Sequence, residues 1–297
     1  MKIVSLLPSA TEILFALGLG DSVVGVTFEC NHPPEARSKR IVSTSALPEN
    51  LSPAEIDAVV KERLADGEDL YHLDADAFAR IEPDLVITQD LCAVCAVDVD
   101  NVDEALEYLG CRAQVLTLDP MTLGEVIDSL LDVGRATGTE QRAAELVAGL
   151  RDRLDAVHAA VAGASPRPRT MVIEWTDPAF TAGHWVPDLV TAAGGTPVLS
   201  NPGANSTGVA WDTVTGTGTD VVVVAPCGFG LDGAAEQAIG LLNDARVPAG
   251  AEVWAVDADA FVVRPGPRLV DGVETFASIL HPELTGPPDP TRARRLA

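Results

Sequence analysis

Residues 2–20, KIVSLLPSATEILFALGLG, open the chain as a strand, a turn and a helix. Lys2–Leu7 is an apolar run suited to a buried strand, Pro8 supplies the turn, and Ala10–Leu17 carries helical spacing. Ser9 with Glu12 three residues later predicts a capping box at the helix start. The same alternation recurs along the chain. Strands are predicted at Val23–Thr27, Leu85–Thr88, Gln114–Leu118, Thr170–Trp175, Val221–Ala225 and Glu252–Val256. Helices are predicted at Pro53–Ala65, Val102–Leu109, Leu123–Thr137, Val186–Ala193, Ala234–Asn243 and Arg268–Leu280. Strands alternating with helices predict an α/β protein with parallel-rich sheets.

Between the two strand sets lies TEQRAAELVAGLRDRLDAVHAAVAG, residues 139–163. Leu146, Leu150, Leu154 and Val157 recur at helical spacing, and no proline interrupts them. A single helix of about 35 Å follows from the rise of 1.5 Å per residue. Ser165-Pro166-Arg167-Pro168 then ends it. The expected organisation is an N-terminal α/β lobe over 1–138, a linker helix over 139–163 and a C-terminal α/β lobe over 164–297.

Composition narrows the function. A net charge of −24 excludes a phosphate-binding surface for nucleic acid and disfavours anionic lipid. No apolar run approaches the roughly 18–20 residues that span a bilayer, so membrane insertion is not expected. Pro8, Ser9, Thr11 and Glu12 interrupt the apolar start, which therefore reads as folded structure and not as a signal peptide. Five cysteines, an odd number, fit a reducing compartment. The expectation is a cytoplasmic monomer.

The chemistry-bearing residues follow predicted strands. Cys92 and Cys95 come just after Leu85–Thr88, Cys30-Asn31-His32 after Val23–Thr27, and Cys227 with Phe229 after Val221–Ala225. Carboxyl ends of parallel strands converge on one crevice, where open α/β sheets bind ligands. The Cys92-x-x-Cys95 spacing suits a soft metal or disulfide exchange, with packing as the competing reading. A lone Cys30 is equally a small buried hydrophobe. Cys111 precedes a strand and is read as structural, while His158 and His281 are read as solvated.

Several motifs together resemble the class III substrate-binding proteins of ABC importers, and within them the cobalamin-binding proteins. They are Ser5-Leu6-Leu7-Pro8-Ser9-Ala10-Thr11-Glu12, Gly25-Val26-Thr27 before Pro33-Pro34, Pro83-Asp84-Leu85-Val86-Ile87, Phe180-Thr181-Ala182-Gly183, Ala193-Gly194-Gly195, Trp211, and Arg264-Pro265-Gly266-Pro267-Arg268. The matches run in order from about residue 2 to 281. Gln89-Asp90-Leu91-Cys92-Ala93-Val94-Cys95-Ala96 and Gly183-His184-Trp185-Val186-Pro187 are similar to a cobalamin-binding subgroup. The resemblance implies two Rossmann-like lobes bridged by a helix, with a ligand held in the cleft between them and no catalysis.

That resemblance also directs the reading of single residues. His184 is a candidate ligand to the cobalt of a corrinoid, or a loop histidine bonded to backbone. Trp175, Trp185 and Trp211 offer flat apolar area to a macrocycle, with core packing as the alternative. Arg264 is placed to anchor a carboxamide or carboxylate, or to cap a turn. Tyr71 and His72, in an insert over Leu47–Tyr71 and just beyond it, are read as a possible lid. Family members present one carboxylate per lobe to a permease. Here Asp76 stands at the first position and Thr217 at the second, which argues against permease docking. The leading expectation is therefore cobalamin or a related corrinoid, with Cys92, Cys95 and His184 as candidate metal ligands. The alternatives are a metal, haem or iron-chelate binder using Cys30, His32, Cys92, Cys95 and Cys227, and, third, a thiol redox enzyme.

Overall fold

The computed structural model describes residues 1–48, 50–89 and 113–297. They form two compact units, Met1–Asp119 with Ile127–Val147, and Pro120–Val126 with Ala148–Ala297. The helix Leu123–Thr137, as expected, and the helix Glu140–Val161, expected over 139–163, each carry a boundary between units.

The first unit runs β1 (Ile3–Ser5), α1 (Pro8–Ala16), β2 (Val23–Thr27), β3 (Arg40–Ser45), α2 (Pro53–Ala65), β4 (Tyr71–Leu73), α3 (Ala75–Ile81), β5 (Leu85–Thr88) and β6 (Gln114–Thr117). Its sheet has the order β4-β3-β2-β1-β5-β6, parallel except for the edge pair β3–β4. Val4, Leu6, Val42 and Val86 pack with Phe78 and Ile81 of α3. Burying such a side chain contributes about 1.5–3 kcal/mol, which helps these short strands hold.

Two local expectations are corrected here. Helix α1 starts at Pro8, with Leu7 at its N-cap and no side-chain cap. Proline's fixed φ and missing N–H suit the first helical position, so Ser9 and Glu12 lie inside the helix, both buried. The capping box forms at α2 instead, where Ser52 N–H donates to Glu55 Oε2 at 2.8 Å and Glu55 N–H to Ser52 Oγ. Tyr71 and His72 form no lid: their backbone pairs with Ser45 and Thr44 in the edge strand.

The long helices follow: α4 (Leu123–Thr137) and α5 (Glu140–Val161). Leu123, Val126, Ile127, Leu130 and Val133 are buried on α4 at three- and four-residue intervals, the stripe that makes it amphipathic.

The second unit continues with β7 (Arg169–Thr176), β8 (Ala179–Thr181), α6 (Val186–Ala192), β9 (Thr196–Pro197), β10 (Thr207–Gly208), α7 (Trp211–Thr215), β11 (Val221–Val224) and α8 (Leu231–Asn243). It ends with β12 (Glu252–Val256), α9 (Ala258–Phe261), α10 (Leu269–Leu280), α11 (Pro282–Thr285) and β13 (Ala293–Arg295). The strand order is β10-β8-β7-β11-β12-β13, with β9 beside β7. β7, β11 and β12 are parallel, and the antiparallel strands lie outside them. The α/β class expected from sequence is the observed one. Among the described residues no helix is long and apolar enough to cross a membrane.

His281 corrects a further expectation. It is only 3% exposed, and its Nε2 lies 3.1 Å from the Gly194 carbonyl oxygen. The ring is used to join the end of α10 to the turn after α6, so it is a core histidine. His158 is exposed on α5 as expected.

Helix α5 is held to the second unit by Arg153, whose guanidinium donates to Glu274 Oε1 at 2.8 Å, Glu274 Oε2 at 2.7 Å and Asp271 Oδ1 at 3.0 Å. The groups are partly exposed, so solvent screens them, and Arg153→Met should cost only about 1 kcal/mol. Urea midpoints at low and high salt check this: the loss should shrink as salt rises.

Candidate functional site

In the second unit the carboxyl ends of β7, β11 and β12 stand side by side, because the three strands are parallel and in register. Each feeds a loop or short helix carrying the residues singled out above. Trp175 sits near the end of β7 and meets the Phe229 ring at 6.3 Å between centroids. Phe229 follows Cys227, an exposed free thiol whose backbone N–H donates to the Glu174 carbonyl oxygen at 3.0 Å.

The Cys227–Phe229 loop is pinned from below by α9. Asp259 Oδ1 accepts the Gly228 N–H at 3.1 Å, and its Oδ2 lies 3.3 Å from Arg264 Nη2. Burial pushes the Asp259 carboxyl above its ordinary range, opposed mainly by the Arg264 charge. Arg264 is thus mostly buried and paired within its own unit. Asp259 was not picked out from sequence. Its spacing to Arg264 is five residues, but only the chain reversal after α9 brings the two together.

His184 and Trp185 lie between β8 and α6. β8 and β10 pair antiparallel, with Thr181 opposite Thr207, so the segments beyond them, 182–185 and 203–206, run alongside each other. His184 N–H donates to Ala204 O at 2.6 Å, Gly203 N–H to His184 O at 3.0 Å, and Gly183 N–H to Ser206 Oγ at 3.1 Å. His184 takes φ +51°, the left-handed region. A histidine there is held by its surroundings, and such strained residues collect at ligand sites. Its imidazole lies 5.6 Å from the Trp185 ring. Burial lowers the His184 pKa from 6.5, opposed by the Asn205 side chain. The shift favours the neutral ring, the form that has a lone pair to offer. The sign for stability follows: a histidine with a depressed native pKa costs stability as pH falls below its unfolded value.

Trp185 is 7% exposed, and its Nε1–H donates to the Val262 carbonyl oxygen at 2.8 Å. Trp211 opens α7, packs on the valine core beneath β11, and lies under the Arg246 guanidinium at 5.4 Å. The structure thus pairs Trp175 with Phe229 and ties the Cys227–Phe229 loop through Asp259 to Arg264, while Trp185, beside His184, reaches the Val262 carbonyl at the end of α9. Trp211 packs elsewhere, beside the residues that follow α8.

In the first unit Cys30 is buried, with Sγ 3.0 Å from Thr11 Oγ1, which donates to Ser5 Oγ at 2.8 Å. Asn31 is exposed and His32 half-buried in the same loop. Cys92, Cys95 and Cys111 lie outside the described residues. Among the described residues no group of three or more His, Cys, Asp or Glu side chains is arranged to hold a metal ion. Asp76 is exposed on α3, whereas the Thr217 hydroxyl donates to Val214 O at 2.8 Å.

The family model described as periplasmic binding protein matches residues 3–247. The chain belongs to the periplasmic binding protein family. An uncharacterized ABC transporter substrate-binding lipoprotein of Bacillus subtilis, YvrC, is 26% identical over 297 residues, covering 95% of this chain and 80% of the relative. A cobalamin-binding protein of Halobacterium salinarum is 26% identical over 289 residues, covering 94% of this chain and 69% of the relative. Among solved structures, a periplasmic heme-binding protein of Pseudomonas aeruginosa superposes with a TM-score of 0.70 at 20% identity, covering 100% of this chain and 95% of that one. At that identity the superposition speaks for the fold, the class III form of the periplasmic binding proteins, as expected from the sequence.

Proposed function

We propose that this periplasmic binding protein holds, without transforming it, a metal-centred tetrapyrrole, and that His184 would offer a ring nitrogen to the metal. Cobalamin or a related corrinoid is the first reading, because the sequence relatives include a cobalamin-binding protein. Haem is the second, favoured by the fold likeness to a heme-binding protein. Both ligands present a metal that accepts imidazole nitrogen. The observation that carries the proposal is His184 itself: a half-buried ring beside Trp185, on a loop held at φ +51° by its two backbone hydrogen bonds and by the Gly183 N–H bond to the Ser206 hydroxyl. Trp175 and Phe229, paired at the ends of β7 and β11, add flat apolar area suited to a macrocycle.

Titration of the purified chain with aquocobalamin and, separately, with haemin tests this. One of the two should bind with a shift of its visible bands that marks nitrogen ligation. His184→Ala should abolish that shift and weaken binding about tenfold or more, a loss of about 1.4 kcal/mol per factor of ten. Binding should weaken as pH falls below the His184 pKa, hence at a midpoint under 6.5. Calorimetric silence with both ligands would overturn the proposal.

A further inference from the structure

The first N–H groups of a helix have no acceptor inside it, and a buried one must find a partner elsewhere. At the start of α4 this demand is met partly from nearby. Glu125 N–H donates to Thr122 Oγ1 at 3.2 Å, and Glu125 Oε2 accepts the Met121 and Thr122 N–H groups at 2.7 and 3.1 Å. Leu123, the first residue of the helix, is buried and stands outside that exchange. Its N–H donates to Asp188 Oδ2 at 2.9 Å, a side chain 65 positions away. Asp188 is the third residue of α6, and its own N–H donates to the Trp185 carbonyl oxygen at 3.0 Å. It is also the acidic residue of the first turn of α6, where a negative charge suits the helix dipole. One carboxylate thus serves two helix starts. A second contact runs beside it: a Cβ built at Gly203 would lie 3.6 Å from Thr122 Cγ2, and Gly203 N–H donates to His184 O at 3.0 Å.

We propose that Asp188 is the positioning residue for the His184–Trp185 segment, its carboxylate fixing the start of α6, and with it that segment, against the start of α4. An acceptor close to Leu123 in sequence would satisfy the same N–H. One supplied from α6 also sets where Trp185 and His184 stand. The positioning half stands on the ligand-free protein alone, and the ligand half rests on the function proposed above. A coupling carried by one contact cannot exceed what that contact is worth. A hydrogen bond to a charged group corresponds to about 10–100-fold in an equilibrium constant, which bounds the effect on affinity.

The test uses the full chain and nuclear magnetic resonance of the Leu123 amide and the Trp185 indole N–H. Without ligand, Asp188→Ala should speed solvent exchange of both by about tenfold or more while leaving the circular dichroism unchanged. Asp188→Asn, which keeps an acceptor oxygen, should restore slow exchange. Leu123→Pro removes the donor instead, since proline suits the first helical position, and should speed the indole exchange likewise. It keeps the test decisive if Asp188→Ala fails to fold. Faster exchange at Leu123 beside a wild-type indole would mean that Asp188 only caps α4, and overturns the positioning role. In the ligand arm, Asp188→Ala should weaken aquocobalamin or haemin binding by about 10–100-fold, with recovery in Asp188→Asn. Wild-type affinity in the alanine variant overturns the ligand half alone. A wild type that binds neither ligand removes the ligand half together with the proposed function, and leaves indole exchange to decide the rest.

Discussion

Trp185→Ala should destabilise the second unit by about 3–5 kcal/mol, the range for deleting a large buried aromatic. The indole is 7% exposed and its N–H is spent on the Val262 carbonyl at the end of α9. It therefore ties the start of α6 to the turn that leads towards Arg264, and the loss is structural. Trp185→Phe separates the two contributions. It keeps most of the apolar bulk but leaves the Val262 oxygen without its donor, which should cost about 1–3 kcal/mol. Hydrogen exchange over residues 169–297 during urea titration reads both values. The loss should fall on that unit, because domains of one chain need not unfold together. If Trp185→Ala instead kept wild-type protection and lost only ligand affinity, the side chain would belong to the ligand surface and not to the interior.

That residue shows where sequence reading stops. Runs such as Leu85–Thr88 and Glu252–Val256 are apolar, β-branched and short, and each is a strand at the predicted bounds. Pro53–Ala65 and Leu123–Thr137 are likewise helices at the predicted bounds, because their start signals and apolar spacing are local. What is not local was missed. Arg40–Ser45 opens with exposed Arg40 and Ile41, and becomes a strand through pairing with β2 and β4. β8 and β10 are three and two residues long and find each other across 25 residues, so neither carries a readable pattern. The site inherits this division. His184 could be singled out from its own loop, whereas its backbone partner Ala204 depends on the β8–β10 pairing and Asp259 on the turn after α9. Nothing around Trp185 in the sequence distinguishes a buried indole from one facing a ligand.

Gly183→Ala should weaken ligand binding while leaving both sheets folded. A methyl group at this position would overlap the Ala204 carbonyl oxygen, the Ser206 nitrogen and the Asn205 carbonyl carbon, all backbone atoms. No side chain can swing away to relieve the clash, so the segments 182–185 and 203–206 must separate. Separation breaks the Gly183–Ser206 bond and strains both backbone bonds of His184. The stability cost should stay near the 1–3 kcal/mol typical of overpacking, because the affected segments lie at the edge of the unit beyond β8 and β10. The functional cost is expected to be larger, about 100-fold in affinity, since losing a ligand's orienting contacts alone costs 10–100-fold and here the whole loop is displaced. The order of effects is itself a prediction: Gly183→Ala should weaken binding at least as much as His184→Ala, because the first moves Trp185 as well as the imidazole. Calorimetry with aquocobalamin or haemin, beside far-ultraviolet circular dichroism, measures both terms. A folded Gly183→Ala protein with wild-type affinity and wild-type visible bands would show that the loop bearing His184 takes no part in holding the ligand.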